Sequence, residues 1–420
     1  MRIARLSCAL MALLLVASAT LGQKLTEEDR ARIIGNVTRI LTEKAYDPEG
    51  KLQRWPEVQK EFDERLRKAE TDDEFYRAFN EALASMEVSH LGFVPPAVYE
   101  ALITGKQEGI GVSGGHVTGE FVVAHVFEGS PAYKAGLRPG DTITAIDDGK
   151  PAWGRLAGEP ASTVSIQYRT PEGTIHRRRL QRGGFGLGIP DEFCAVTDHT
   201  AYLRIRSFML GYYDREWVRS VMPHLTRYDN LILDLRENGG GTLTFVADLC
   251  GYLMGPGVSC GSFITKAGLE VKEPVPYSGT DRKLVTAEDV LAIQKAGRLE
   301  LVTRKPQVGP FRGRLVLLFG DGSASAAEVG SAALIEAGRC VTTIGQPTMG
   351  AVLASAMEPV GKACGLQYPS TDYLTASGRR LEGHPIQPDQ VVSRRETLVA
   401  LQEGRLDPAI SLALELLGDS

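Results

Sequence analysis

Two apolar strands that each run into a glycine-rich turn and then a helix constrain this chain more than any other feature. Leu231-Ile232-Leu233-Asp234-Leu235 leads into Arg236-Glu237-Asn238-Gly239-Gly240-Gly241 and a helical stretch from Thr244 to Leu253. Arg314-Leu315-Val316-Leu317-Leu318-Phe319 leads into Gly320-Asp321-Gly322-Ser323-Ala324-Ser325 and a helical stretch from Ala326 to Ala337. Such short unbroken apolar runs read as buried strands, and Cys340 to Ile344 adds a third. Strands alternating with helices predict a layered α/β domain.

At 420 residues the chain is too long for one ordinary domain. Residues 1–22 have the layout of a secretory signal peptide, with Arg2 and Arg5, an apolar core from Cys8 to Ala17, and small residues at Ser18, Ala19 and Gly22. No other stretch approaches the roughly 18 apolar residues of a membrane span. A secreted or periplasmic protein with no stable membrane span after cleavage is expected. Residues 23–104 read as helical: Thr26 is an N-cap, and Ile33, Ile34, Val37, Ile40 and Leu41 recur at helical spacing. Trp55 to Ala69 and Asp72 to Met86 repeat the pattern. Residues 107–182 are β-rich, 183–395 hold the α/β pattern, and 396–420 read as a helical tail. The stretch from Pro256 to Pro310 resists placement, and a cap on the active-site side is one reading of it.

A formal net charge of −5 with no basic run argues against a nucleic-acid partner. Five cysteines follow the signal: Cys194, Cys250, Cys260, Cys340 and Cys364. None forms a CxxC pair, and no HExxH occurs, so neither metal nor other cofactor is expected. Cys250 and Cys260 either close a small loop in an oxidising compartment or serve as buried small hydrophobes.

Gly129-Ser130-Pro131-Ala132-Tyr133-Lys134-Ala135-Gly136-Leu137-Arg138-Pro139-Gly140-Asp141 resembles the central stretch of a PDZ domain of the bacterial protease type. Pro131 starts a one-turn helix, Gly136 ends it, and Pro139-Gly140-Asp141 turns into a strand. The domain reads as reduced. Only Gly149 to Arg155 stands where the groove helix belongs, so weak selection of peptide C-termini is expected, although a peptide can still add as a strand.

Ser325 stands where a helix N-terminus offers partial positive charge to an oxyanion. Ser325 with Glu328 also reads as a capping box. The segments "DGSASAAEV" and "GRCVTTIGQPTMG" resemble the nucleophile region of the C-terminal processing peptidases and their tricorn relatives, and the resemblance runs from about residue 30 to 392. It implies a multidomain α/β protein: a helical N-terminal region, the reduced PDZ domain, and a layered, crotonase/ClpP-like peptidase core acting on polypeptide substrates. It makes Ser325 the nucleophile, with an oxyanion hole from the amides of Gly240 and Ala326. Substrate contacts fall at Gly239, Gly241 and Gly350.

The lysine branch of this group places its base directly after a Thr-x-Gly turn, and here that position is Ala351. The tricorn branch uses a histidine with a serine and a glutamate behind it. The resemblance puts these at His90, Ser89 and Glu382, the triad logic on another fold. Activity is then expected to rise near the ordinary imidazole range, about pH 6 to 7. Alternatives remain for each residue. His90 reads also as a structural histidine, Glu382 as a surface residue, His384 as a rival base and Lys362 as a solvated turn residue. The whole chain reads also as a non-catalytic binding relative, or as a Ser/Lys enzyme whose lysine was replaced at Ala351. Assembly into a homo-oligomer is left open.

Overall fold

The computed structural model describes residues 24–419 apart from 97, 100–105, 152–154, 157, 159–160, 187–190 and 282–284. The signal-peptide reading lies outside the described residues, and so does part of the segment where the PDZ groove helix was sought.

The core is a six-stranded sheet in the order Gln390–Val391, Cys340–Gly345, Arg314–Phe319, Asn230–Asp234, Thr200–Arg204, Glu192–Ala195. Neighbours run parallel except Glu192–Ala195, which is antiparallel to Thr200–Arg204. Alternation along the strands sorts the side chains onto two faces. Leu231, Leu233, Leu315 and Leu317 pack with the helices Leu243–Met254 and Ala326–Glu336. Ile232, Val316, Leu318 and Ile344 pack with Ala409, Ala413, Leu414 and Leu417 of the helix Pro408–Leu417. The second helix of the C-terminal stretch is therefore a layer of the core. Every residue of Leu243–Met254 is buried, which is why that stretch reads apolar all round.

The stretch that resisted placement joins a second six-stranded sheet. Ser259–Thr265, Arg298–Val302 and Val275–Tyr277 extend a sheet built on Cys364–Leu374, which also pairs with Ala354–Gly361 and Gly92–Val94. The helix Val285–Ala296 packs on Leu243–Met254. The N-terminal helices Glu27–Glu43, Trp55–Lys68 and Asp72–Ala84 lie against this sheet, two of them opened by capping boxes at Thr26 and Thr71. Ile33, Val37, Ile40, Phe75 and Phe79 share one apolar cluster with Val360, Leu366 and Tyr368. The strand Gly92–Val94 then pairs antiparallel with Gly365–Gln367. This docking carries the preceding Ser89-His90 onto the core.

The PDZ region is a five-stranded antiparallel sheet of Val112–Val117, Glu120–Val126, Thr142–Ile146, Thr163–Arg169 and Ile175–Gln181, with its own apolar core. The helix Pro131–Lys134 is capped by Ser130 and closed by Gly136 at φ 88°. Leu398 of the helix Arg394–Gln402 packs on the outer face of this sheet against Val117 and Val122.

Candidate active site

Two strand ends and their turns are joined by hydrogen bonds. The Ser323 hydroxyl donates to the Leu235 carbonyl (2.7 Å) and accepts from the Gly320 amide (3.0 Å). The Ala324 amide donates to the Asn238 carbonyl (3.1 Å). Between them Ser325 is held at φ 54°, ψ −122°, a conformation that costs a non-glycine residue about 1–3 kcal/mol. Its N–H is taken by the Ala351 carbonyl (2.8 Å) and by Glu328 Oε2 (3.2 Å). The helix Ala326–Glu336 starts at the next residue, and among the described residues no backbone acceptor takes the Ala326 N–H. An amide without a partner at a helix start is a donor available to an anion.

The glycine loop lies directly against this turn. Asp234, fully buried, is paired with Arg236 (2.7 Å) and Arg204 (3.4 Å) and accepts from the Tyr202 hydroxyl (2.7 Å). Burial pushes its pKa up, but the two guanidinium groups outweigh burial and hold it well below the usual carboxylate range. Arg236 also pairs with Asp407 (2.7 Å), tying the loop to the C-terminal helix. A side chain at Gly240, φ 98°, would place its Cβ 2.7 Å from Ser325 Cβ, 2.8 Å from the Ala324 oxygen and 2.9 Å from the Ala326 nitrogen. A Cβ at Gly241 would fall 1.9 Å from the Phe208 backbone, and one at Gly350 would fall 2.9 Å from Pro385. These are glycines because backbone or proline fills the space. Gly239 lies between Asn238 and Gly240 and is half-buried. The Gly240 N–H, expected to face an oxyanion, donates here to Asn238 Oδ1 (2.9 Å).

Behind the nucleophile turn lies a chain of polar groups. Ser89 Oγ donates to Glu382 Oε2 (3.0 Å) and lies 3.0 Å from His90 Nδ1. The hydroxyl has one proton. With that proton on the carboxylate side, Oγ accepts from Nδ1–H, which leaves Nε2 as the basic nitrogen. Glu382 also accepts from the Val352 amide (2.9 Å). Burial raises its pKa, opposed by the Val352 amide and the Ser89 hydroxyl. His90 sits at φ 56° and is only 8% exposed; burial pushes its pKa down to about 4. Among the described residues, the Ser325 hydroxyl and the His90 ring are not hydrogen-bonded to each other. They are connected through the backbone, since Ala351 receives the Ser325 N–H and the adjacent Val352 amide is held by Glu382.

The rivals lie elsewhere. His384 is exposed, with Nδ1 on the Glu382 carbonyl (2.8 Å). Lys362 sits in the turn between Ala354–Gly361 and Cys364–Leu374 and pairs with Asp29 of the first helix (3.2 Å). The five described cysteines are free thiols, with Cys250 and Cys260 buried side by side. Asn238, Ser323 and Thr348 were not assigned roles from the sequence. The capping-box reading of Glu328 saw its local contact with the Ser325 amide but not its contacts with the distant 348–351 turn.

Residues 199–392 match the model of peptidase family S41, and residues 122–151 match a PDZ domain model. The chain carries a peptidase S41 domain and a PDZ domain. It is similar to the carboxyl-terminal-processing protease of Synechocystis sp. (strain ATCC 27184 / PCC 6803 / Kazusa), 24% identical over 90% of this chain and 84% of that protein. It is also similar to the carboxy-terminal processing protease CtpA of Bacillus subtilis (strain 168), 26% identical over 69% of this chain, but spans only 57% of that relative's length. The solved structure of mature CPAF matches 94% of this chain and 98% of its own with a TM-score of 0.59 at 12% identity, a likeness of fold. The S41 domain and these likenesses mark a serine-type peptidase, and none of them supports the reading of the chain as a non-catalytic binding relative.

Proposed function

We propose that the chain hydrolyses peptide bonds through an acyl-enzyme on Ser325, with His90 as the general base. The observation that carries this reading is the Glu382–Ser89–His90 hydrogen-bond chain; with the Ser89 proton on the carboxylate side, Nδ1–H faces Oγ and Nε2 is the basic nitrogen. His90 takes the hydroxyl proton as Ser325 Oγ attacks the carbonyl carbon. The Ala326 amide donates to the developing oxyanion, and the Gly240 amide joins it by exchanging its bond to Asn238. The imidazolium is stabilised through Ser89 by the Glu382 carboxylate. It returns its proton to the leaving amine, and water, deprotonated by the same ring, releases the acyl group. Gly239, Gly241 and Gly350 give the substrate backbone room to approach. Ala351 cannot accept a proton, so the lysine mechanism has no base at that position.

The substrates are polypeptides of the secretory space. Support comes from Arg2, Arg5 and the apolar run from Cys8 to Ala17, and no helix among the described residues is long and apolar enough to cross a membrane. The test uses protein purified after export, an unfolded protein substrate and a fluorophosphonate probe, from pH 5 to 9. Cleavage and labelling should both disappear in Ser325→Ala. A folded wild-type protein that neither cleaves nor labels refutes the proposal. Labelling that survives His90→Ala keeps Ser325 and removes His90 as base.

A further inference from the structure

The four consecutive amides from Gly350 to Leu353 are divided between two carboxylates. Glu328, fully buried, accepts from the Gly350 amide (2.8 Å) and the Ala351 amide (2.9 Å). Glu382 accepts from the Val352 amide (2.9 Å) and, at the limit of reach, the Leu353 amide (3.4 Å). Glu328 also takes the Thr348 hydroxyl (2.6 Å) and the Ser325 N–H (3.2 Å). Thr348 Oγ1 in turn accepts from the Ile386 amide (2.9 Å), four residues beyond Glu382. One carboxylate thus grips the nucleophile and the near half of this segment, and the other grips the base relay and the far half.

We infer that the Gly350–Leu353 backbone is a bridge that sets the position of Ser325 relative to the His90 relay, and that Glu328 is the positioning residue anchoring its nucleophile end. The inference rests on the proposed Ser325–His90 mechanism. In the lysine branch nucleophile and base stand on neighbouring segments, so no such link is required. Here the base comes from residue 90 and the nucleophile from residue 325, and both must be referred to one rigid element. Glu328 performs this as an ionised acceptor. Its Oε1 receives Thr348 and Gly350 and its Oε2 receives Ala351 and Ser325, so no donor is tolerated on either oxygen. Burial raises its pKa, opposed by the Thr348 hydroxyl and these amides. A glutamine has the same shape, yet its NH2 group faces N–H donors and orphans them.

The experiment compares Glu328→Gln and Thr348→Val with wild type by peptide cleavage, Ser325 labelling and hydrogen exchange over residues 346–353. A displacement of about 1 Å at a reacting pair costs roughly 100-fold. Glu328→Gln should therefore lower kcat about 100-fold with KM little changed, slow labelling in parallel, and speed exchange in this segment. Thr348→Val, which removes one of the Glu328 donors, should show the same pattern at about a tenth of the effect. If Glu328→Gln does not fold, as read by its circular-dichroism melt, Thr348→Val decides alone. Wild-type labelling rates in the folded variants, or a loss confined to KM, overturn the bridge while leaving the mechanism in place. A wild-type protein that does not label overturns the mechanism and the bridge with it.

Discussion

The acid limb of the activity profile tests the base assignment most directly. His90 must be neutral to take the Ser325 proton, so activity should rise as pH climbs through the His90 pKa. The ordinary imidazole range would place that rise at about pH 6 to 7. Burial of the ring holds the folded-state pKa at about 4 instead, below the ordinary imidazole value of about 6.5. That gap corresponds to about 3 kcal/mol against the imidazolium in this site. The same gap acts on stability with a definite sign. Between about pH 4 and 6.5 the unfolded chain binds a proton that the fold does not, so stability rises with pH through that window. The contribution is fully present above about 6.5 and is lost as pH falls through about 4. Measuring kcat/KM on a quenched peptide from pH 4 to 9, with thermal melts in the same buffers, checks both. The limb should lie below pH 6, with activity level above it. His90→Ala should remove turnover and flatten the pH dependence of the melt in that window. A limb centred at 6.5 or higher would mean that a solvated group is the base, and His384 would be examined first.

The remaining predictions concern the turn and the glycine loop. Gly240→Ala should cut kcat about 100-fold or more, because its Cβ would meet Ser325 Cβ at 2.7 Å and the residue would be strained at φ 98°; cleavage assays with a melt separate this from unfolding, and wild-type turnover would contradict the packing. Ala351→Lys should restore nothing: Ala351 is 4% exposed against Ala324 and Met349, so a lysine overpacks the site. The double variant His90→Ala with Ala351→Lys should stay inactive, and recovered cleavage in it would identify the fold as a Ser/Lys enzyme that lost its base. Glu382→Gln should cost less than His90→Ala, since it supports the base rather than moving the proton, and equal losses in kcat would show that the carboxylate takes a direct part.

Much of the core was legible because its strands and helices obey local rules. Leu231–Leu233 and Leu315–Phe319 are apolar without interruption because both faces of the sheet are covered. Thr26 and Thr71 mark helix starts because their hydroxyls satisfy amides three residues on. Residues 256–310 were not legible, since Ser259–Thr265 draws one partner from Cys364–Leu374, about a hundred residues away, and the other from Arg298–Val302, and periodicity carries no such information. The site divides along the same line. The turn at Ser325 reads locally as a helix cap, and only the resemblance of the surrounding segments singles it out as the nucleophile. The role of Glu328 was only half visible: a local pattern shows its bond to the Ser325 amide, whereas its bonds to Thr348, Gly350 and Ala351 exist only once the chain has folded.

The proposed mechanism gives the N-terminal helices a part in the chemistry. With alanine at 351, the 348–351 turn carries no side chain basic enough to deprotonate a serine. In the proposed mechanism the base comes from another segment, and Ser89-His90 is held at Glu382 by helices packed on the 354–374 hairpin and by the pairing of Gly92–Val94 with that sheet. His90 holds positive φ, buried, two residues before the strand Gly92–Val94, so its ring position depends on the docking of the whole region. If His90 is the base, as proposed, the apolar cluster of Ile33, Val37, Phe75, Phe79, Val360 and Leu366 supports the chemistry as well as the fold. In a lysine enzyme of the same architecture, loosening these helices would leave nucleophile and base on adjacent segments of the core. In the proposed mechanism it would separate them.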